Sequence, residues 1–258
     1  MEIRHRIQFP TLNGNSNLSQ DKAYFYLLDT NNRRKIRFHD YDEIYKIPGL
    51  YEQLFYERLK CQSPNKVSEI LRSSVAQSEE NFSDLRVLDL GAGNGMMGAA
   101  LKKYGLSRLV GVDIIPEAHL ATKRDRPGVY DAYYVENFCT LTNEQRDEIS
   151  SWSFNCLTTV AALGFGDIPA QAFLEAFNII QGQAWVAFNI KETFLSHSDT
   201  SGFSKLVREL LFSEYFDLYH FERYRHRVSI AGEPLYYVAI AGRKKSDIPQ
   251  ESLGRFRN

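Results

Sequence analysis

An apolar run leads into three alternating glycines in the stretch Val87-Leu88-Asp89-Leu90-Gly91-Ala92-Gly93-Asn94-Gly95. A short apolar run of this kind is typical of a buried strand in a parallel sheet. Glycines directly after a strand let a ligand approach the backbone closely, and a following helix offers its N-terminal N–H groups. The stretch therefore predicts a strand, a ligand-binding loop and the start of a helix.

The residues after this loop continue to alternate between helix and strand patterns. GMMGAALKKYG (95–105) reads as a helix and LVGVD (109–113) as a second buried strand, which together give a βαβ unit with a parallel sheet. Further strand patterns are YDAYYVENF (130–138), FNCLTTVAAL (154–163) and AWVAFNI (184–190). The runs YHFERYRHRVSI (219–230) and PLYYVAIAGRK (234–244) flank a short turn and predict a terminal antiparallel pair.

The N-terminal third has a different pattern. AYFYLLD (23–29) and RKIRFHD (34–40) flank a short Asn-containing turn at 30–32 and predict a β-hairpin, after a loose Asn- and Ser-rich arm. Apolar spacing from Asp42 to about Leu71 is helical in pieces, and a polar stretch from Ser73 to Ser83 follows. We predict an arm, hairpin and helical cap over 1–84, a core over 85–245, and a tail over 246–258.

The composition excludes several classes of protein. The 258 residues include 31 Lys+Arg and 32 Asp+Glu with 43% hydrophobic residues, so the chain is globular and its near-neutral charge disfavours a nucleic-acid partner. Three cysteines without a CxxC pair give neither a disulfide framework nor a zinc site, and no metal is expected. No apolar run approaches the length of a membrane span. We expect a cytoplasmic protein without a membrane partner, and the sequence makes no prediction of its oligomeric state.

Two ligand classes use a loop of this kind: dinucleotides and S-adenosylmethionine. A carboxylate at the end of the first strand, Asp89, repels a pyrophosphate and attracts the cationic amino group or sulfonium of S-adenosylmethionine. In the usual dinucleotide register the first glycine is Gly91, which places the third glycine at Met96. The polarity and the register therefore favour S-adenosylmethionine, and a dinucleotide oxidoreductase remains a distant alternative.

Acidic and amide residues follow the next two strands. Asp113 stands about 20 positions beyond the first glycine, where a carboxylate accepts the ribose hydroxyls of an adenosine ligand. Ile114 is placed to pack on adenine, and Asn137 and Phe138 to border the base. The alternatives are that Asp113 caps the following helix and that Asn137 caps a turn.

Residues 85–245 resemble the class I S-adenosylmethionine-dependent methyltransferases in the order of four features. These are DLGAGNG (89–95), GVD (111–113), a polar residue after the third strand and a final antiparallel hairpin. The resemblance implies an α/β fold with a Rossmann-like, seven-stranded, mostly parallel sheet and a C-terminal antiparallel hairpin strand. More narrowly, the sequence is similar to methyltransferase-like proteins of the Williams-Beuren type in YDEIY (41–45), GLYEQLFYERLKCQSP (49–64), TTVAALGFGDIP (158–169) and YRHRVSIAGEPLYYVAI (224–240).

The resemblance implies an S-adenosylmethionine site. Its residues are expected to be Asp89, Gly91, Ala92, Gly93, Gly95, Asp113, Ile114, Asn137, Phe138, Val160 and Tyr51. In this pattern Asp89 holds the amino group, Asp113 the ribose, and Tyr41, Tyr45 or Tyr51 closes over the cofactor. The alternative for these tyrosines is packing within the cap. Asn137 departs from the Asp that is usual in the class, although its amide oxygen can still accept a hydrogen bond.

Three residues are candidates for acid–base catalysis: His226, Asp167 and Glu192. His226 lies within the basic run 223–227, which is either a solvated edge strand or a receptor for an anionic substrate. Asp167 either faces the methyl acceptor beyond the fourth strand or caps the helix after Pro169. Lys191 and Glu192 follow the fifth strand, and we expect them to pair with each other at the surface.

The leading functional hypothesis is transfer of a methyl group to a small-molecule acceptor. The alternatives are a protein or RNA methyltransferase and a non-catalytic module that only binds S-adenosylmethionine. TTVAALGFG (158–166) stands where an NPPY or DPPY tetrad would follow the fourth strand, which disfavours methylation of bases or amides.

Overall fold

The computed structural model describes residues 4–11, 18–29, 32–196, 198–199, 202–212 and 214–249. An N-terminal antiparallel sheet is formed by β1 (Arg6–Gln8), β2 (Tyr24–Leu28) and β3 (Arg33–Arg37) in that order. The hairpin of β2 and β3 was predicted from the sequence, although residues 30 and 31 of its turn lie outside the described residues. The pairing of β1 with β2 was not predicted, because three residues are too few to reveal an alternation.

The helical cap contains α1 (Tyr41–Lys46), a π-helical segment (Glu52–Arg58) and α2 (Ser63–Gln77). The prediction that the helix ends near Leu71 was wrong, since α2 continues six residues further into the polar stretch. Ser74 and Val75 are buried there, at 1% and 0% exposure, because α2 packs against the large sheet. Small serines let the helix approach the sheet, so their polarity does not mark a loop.

The core contains seven strands and five further helices among the described residues. In chain order these are β4 (Arg86–Leu90), α3 (Met96–Lys102), β5 (Arg108–Asp113), α4 (Pro116–Asp125), β6 (Ala132–Val135), α5 (Asn143–Ser150), β7 (Cys156–Thr159), α6 (Ala170–Ile179), β8 (Trp185–Lys191), α7 (Phe203–Phe212), β9 (Phe216–Val228) and β10 (Pro234–Lys244).

The seven strands form one sheet in the order β6-β5-β4-β7-β8-β10-β9. Strands β4 to β8 pair in parallel, whereas β10 is antiparallel to both β8 and β9. The predicted α/β fold, with its mostly parallel seven-stranded sheet and terminal antiparallel hairpin, is confirmed. The chain leaves β4 toward β5 on one side and returns to β7 on the other, so the sheet has a topological switch point between β4 and β7.

Separate apolar cores cover the two faces of this sheet. One core includes Leu88, Leu157 and Phe173, and the other includes Val87 and Leu71. Burial on both faces is the condition that makes parallel strands read as continuous apolar runs. No helix within the described residues is long and apolar enough to cross a membrane.

The C-terminal tail begins as an anchored segment. Ile248 is 1% exposed, and its backbone N–H and C=O bond to the side-chain amide of Asn178 at 3.0 and 2.9 Å. Residues 250–258 lie outside the described residues. The domain boundaries at 84 and 245 remain predictions.

Helix α5 begins with a capping box, and we expect the substitution Thr142→Ala to destabilise the protein. Thr142 accepts a hydrogen bond from the Gln145 N–H, and the Gln145 side chain accepts from the Thr142 N–H. Loss of such a cap costs about 1 kcal/mol of unfolding free energy. Urea unfolding measures this loss, with exposed Thr140→Ala as the control. Equal stabilities of the two variants would contradict the assignment.

Candidate functional site

A cavity of about 310 Å³ opens where the parallel strands end at the switch point. Its floor includes the last residues of β4 and β5, Leu90 and Asp113, and the residues just beyond β6 and β7, Glu136 and Val160. Tyr41, Tyr45, Tyr51 and Tyr56 of the N-terminal layer lie over it. The volume is in the range of pockets for small ligands and cofactors.

The glycine loop borders the cavity, and two of its glycines stand where a side chain would not fit. Gly91 has φ +73°, and a Cβ on it would come within 2.6 Å of Ile168 Cδ1. Gly93 has φ +55°, and a Cβ on it would come within 2.6 Å of Tyr45 Oη. Ala92, between them, also lines the cavity. Gly95 has a different place: it occupies the position before α3 with φ +88° and turns the chain into the helix.

Asp113 is held at the cavity by the backbone of two loops. Its Oδ2 accepts from the Gly93 N–H at 2.9 Å and its Oδ1 from the Ile115 N–H at 3.0 Å. Burial raises the pKa of Asp113, and these backbone hydrogen bonds oppose the rise. Ile115 precedes α4 as its capping residue, so Asp113 does not cap that helix and is available to a ligand.

Three residues predicted to border adenine line the same cavity. Ile114 is 56% exposed, Phe138 is 3% exposed, and Asn137 lies between β6 and α5. Asn137 Oδ1 accepts from the Cys139 N–H at 2.9 Å, so this residue also caps a turn. Glu136, which the sequence interpretation passed over, lies beside Asn137 and accepts from Gln145 Nε2 at 2.6 Å.

Asp89 occupies a different position from the one predicted. The carboxylate is fully buried behind the loop, where Oδ1 accepts from Thr158 Oγ1 at 2.7 Å and Oδ2 accepts from Tyr130 Oη at 2.6 Å. Burial raises the pKa of Asp89 to about 6. The lining of the cavity begins at the next residue, Leu90. This geometry supports a role in holding strands and loop together rather than direct contact with an amino group.

The charge of the cavity lining is one-sided. Its carboxylates are Asp113, Glu136 and Asp167, and no Lys or Arg is among the described residues that line it. Asn94 also lies at the wall, and its buried Oδ1 has no hydrogen-bond partner within the described part of the chain. The site therefore attracts cations and hydrogen-bond donors.

A histidine–aspartate pair stands at one end of the cavity. His39 Nδ1 lies 3.0 Å from each carboxylate oxygen of Asp167. His39 is positioned by the turn between β3 and α1, which Arg37 closes by donating to the Asp40 carboxylate at 2.9 and 2.7 Å. Asp167 does not cap α6: that helix has Pro169 at its cap position. Of the two interpretations of Asp167, the geometry favours the one at the ligand site.

His226 lies outside the 310 Å³ cavity, in a small adjoining one of about 40 Å³. Its Nδ1 is 2.6 Å from Ser63 Oγ, and its ring stacks on Tyr237 at a centroid distance of 4.0 Å. Burial lowers the pKa of His226 well below its usual value, and Arg227 lowers it further. The imidazole is therefore neutral and engaged in packing, so the geometry favours His39 over His226 as the proton acceptor.

Sequence patterns alone did not reveal His39, Glu136 or Asn94. His39 belongs to the N-terminal layer, and its meeting with Asp167 across 128 positions depends on how that layer sits on the sheet. Glu136 was signalled by its neighbour Asn137 at the end of a predicted strand. Asn94 lies within the glycine loop, which was interpreted from its glycines and not from this side chain.

The comparisons with known proteins are consistent with this site. No family model matches the sequence. A stretch of 44 residues is 48% identical to the ribosomal protein L11 methyltransferase of Cellvibrio japonicus (strain Ueda107), and it covers 17% of this chain and 15% of that protein. The match thus spans a small part of the relative's length.

Solved structures match over most of the chain. The N-methyltransferase NodS from Bradyrhizobium japonicum WM9, in complex with S-adenosyl-L-homocysteine, aligns with a TM-score of 0.53 over 80% of this chain and 97% of that chain, at 11% identity. A proposed RNA methyltransferase from Pyrococcus horikoshii aligns with a TM-score of 0.51 over 70% and 84%, at 15% identity. The fold is that of the class I methyltransferases. At these identities the likeness concerns the fold, and the activity rests on the site.

We expect the buried Asp89 carboxylate to make stability depend on pH. Its pKa of about 6 lies above that of an unfolded aspartate, so the folded state binds the proton more tightly. This contribution is fully present below about pH 4 and is lost as the pH rises through 6, on the order of 3 kcal/mol in all. Urea unfolding between pH 4 and 8 should show a loss that is larger in the wild type than in Asp89→Asn by this amount.

The control for this experiment is Asp147→Asn, on the exposed side of α5. Its unfolding free energy should follow that of the wild type at every pH. A constant difference between wild type and Asp89→Asn across the range would contradict the raised pKa.

Proposed function

We propose that this protein is an S-adenosylmethionine-dependent methyltransferase that acts on a small-molecule acceptor. The observation that carries the proposal is the lining of the 310 Å³ cavity, with three carboxylates and no Lys or Arg among its described residues. A dinucleotide would bring a pyrophosphate to this edge, where the carboxylates repel it. A nucleoside with a cationic sulfonium and amino group suits the same lining.

The described residues fit this cofactor. Asp113, oriented by two backbone N–H groups, would accept the ribose hydroxyls, and Ile114 and Phe138 would flank adenine. Gly91 and Gly93 leave the loop backbone without side chains at the cavity wall, and the protein's own packing against Ile168 and Tyr45 requires glycine at both positions. The unpartnered Asn94 Oδ1 supplies an acceptor for one of the ligand's N–H or O–H groups.

When bound, S-adenosylmethionine supplies a methyl group that is already activated by its sulfonium. The chain's own residues must therefore align an acceptor, exclude water and receive a proton. Tyr41, Tyr45 and Tyr51 form a continuous aromatic cover, with centroid distances of 6.1 and 5.0 Å between successive rings. This cover shields the cofactor side of the site from solvent.

His39 is positioned to take the acceptor's proton. Asp167 accepts from Nδ1–H, which fixes the tautomer in which Nε2 carries a lone pair. Both residues line the 310 Å³ cavity and the 40 Å³ cavity beside it, so they stand on the boundary between them. An acceptor hydroxyl or ammonium group that meets the methyl group there loses its proton to His39 Nε2. Asp167 acts as the positioning residue.

The small size of the second cavity favours a small acceptor over a polymer. It is bounded by side chains from the turn after β3, α1, the loop 161–167 and the final hairpin. Of the arginines on β9, Arg223 is engaged with Glu192 at 2.6 Å, which leaves less free charge for RNA. We also propose that the protein is related to methyltransferase-like proteins of the Williams-Beuren type. Two of the segments that resemble those proteins, 49–64 and 158–169, contribute Tyr51 and Asp167 to the cavity lining.

Calorimetric titration with S-adenosylhomocysteine and with NADH tests the cofactor. We expect the first to bind and the second not to. Asp113→Ala should weaken S-adenosylhomocysteine about 10- to 100-fold, because it removes charged hydrogen bonds worth about 1.5–3 kcal/mol. Asp147→Ala, on the exposed side of α5, is the matched control. Binding of NADH alone, or no binding to the folded protein, would refute the proposal.

Release of S-adenosylhomocysteine from S-adenosylmethionine, with a pool of small phenols, amines and carboxylic acids as acceptors, tests turnover. His39→Gln should lower the rate about 100-fold or more because a positioned base is lost. His220→Gln, which removes a histidine from edge strand β9, should leave the rate unchanged. A pool without product above the blank, despite tight cofactor binding, would favour the non-catalytic alternative.

A further inference from the structure

We propose that the acceptor pocket ends in a carboxylate-binding subsite formed by Arg227 and Lys191, so that the methyl acceptor is a small aromatic acid. The inference rests on the proposed function and names its substrate class. It starts from two cations at adjoining cavities that do not pair with carboxylates within the described residues.

Arg227 points inward because of a β-bulge. In the ladder between β9 and β10, Tyr236 opposes Arg225 and Leu235 opposes Arg227, so His226 is an extra residue. Strict alternation would place Arg227 on the outer face with Arg223 and Arg225, which are exposed. The bulge instead buries both His226 and Arg227, at 4% exposure each. Bulges that turn a side chain in this way are over-represented next to functional sites.

The buried Arg227 guanidinium has only partial compensation. Its Nη1 donates to the Val228 carbonyl at 2.9 Å, and its Cζ lies 5.4 Å from the centre of the Phe38 ring. Burial lowers the pKa of Arg227, and the groups that oppose this are the phenols of Tyr237, Tyr41 and Tyr51 and the Cys61 thiol. A buried cation without a counter-charge is costly, and an anionic ligand removes that cost.

Lys191 adds a second cation on the same side. The expectation that it pairs with Glu192 was wrong, because Glu192 binds Arg223 at 2.6 Å and Lys191 Nζ lies 5.2 Å from the centre of the Phe165 ring. Burial lowers the pKa of Lys191, and repulsion from Arg227 lowers it further, whereas Asp21 and Glu192 oppose these effects from a distance. An anion between the two cations would relieve their repulsion.

Arg227 is reached from the proposed methyl-transfer point, and Lys191 lies in the next cavity. The 40 Å³ cavity is lined by His39, Asp167 and Arg227. Arg227 also lines a cavity of about 210 Å³ that includes Lys191, Ser19 and Ser229. Glu233, the carboxylate in that lining, is exposed in the turn between β9 and β10. Arg227 thus connects the cavity of the proton acceptor to the cavity that contains Lys191.

Gln20 provides another polar group at this point. Its Nε2 lies 2.8 Å from Tyr237 Oη, and its buried Oε1 has no partner among the described residues. The two ends of a glutamine amide are interchangeable by rotation about its last side-chain bond. With the amide rotated, Tyr237 donates to Oε1 and Nε2 takes the buried position. Gln20 lines both cavities, so its amide adds a polar group beside Arg227.

The chemistry of the lining selects a planar aromatic acid. The planar guanidinium fork matches a carboxylate through two parallel hydrogen bonds. Phe38, Tyr41, Phe165 and Tyr237 surround the space between Arg227 and His39, and they present ring faces and edges to a flat ligand. An acceptor with a carboxylate at one end and a hydroxyl or amino group at the other meets both sides of the pocket.

Calorimetry on the protein saturated with S-adenosylhomocysteine tests this subsite. The probes are 4-hydroxybenzoate and its neutral analogue 4-hydroxybenzamide, which has a similar shape. We expect the acid to bind more tightly than the amide, and Arg227→Met to weaken the acid about 10- to 100-fold while leaving the amide unchanged. Arg225→Met, which removes an exposed arginine from the same strand, is the matched control and should change neither affinity.

Several results would overturn the subsite. These are equal affinities for acid and amide, equal effects of the two arginine variants, or no binding of the acid. Should Arg227→Met fail to fold, Lys191→Met is expected to weaken the acid selectively. Binding of S-adenosylhomocysteine is measured in the wild type and in every variant. If the wild type does not bind S-adenosylhomocysteine, the proposed function is refuted. If it binds S-adenosylhomocysteine but does not prefer the acid to the amide, only the subsite is refuted.

Discussion

The buried carboxylate of Asp89 is the interaction on which the rest of the site depends. It accepts from Thr158 on β7 and from Tyr130 just before β6, and thereby ties together chain segments on both sides of β4. The glycine loop begins two residues later, so any shift of this carboxylate would move the backbone that borders the cavity. A charge placed in the interior is expensive, and its hydrogen bonds offset part of that cost.

A second buried network couples the cap to the opposite wall. Ser63, at the start of α2, lies 2.6 Å from Tyr224 Oη, and Asn189 Nδ2 donates to both hydroxyls. Asn189 Oδ1 in turn accepts from the N–H of Ala161, which has φ +58° and lines the cavity. Strained backbone of this kind persists when its surroundings hold it in place. The network thus connects the N-terminal layer to the loop that carries Asp167.

The sequence allowed the sheet and most residues at one wall of the cavity to be predicted, because both depend on local patterns. The glycine loop, Asp113 and the residues around Asn137 each follow a strand whose apolar run is visible in the chain. The acceptor side was not predictable, because it depends on the docking of the N-terminal layer and on one bulge. His39 gives no periodic signal, and the alternation of β9 places Arg227 on the wrong face.

The bulge at His226 gives the terminal hairpin a role beyond completing the sheet. The two strands continue to pair on either side of it, with a second register shift between Ala241 and Gly242, so the ladder tolerates the extra residue. Removal of that single residue would restore strict alternation and turn the following side chain toward solvent. The charge that Arg227 brings to the pocket therefore depends on the number of residues in β9 as well as on their identity. A chain without that residue would lose the Arg227 cation from the pocket, while Lys191 would stay in place.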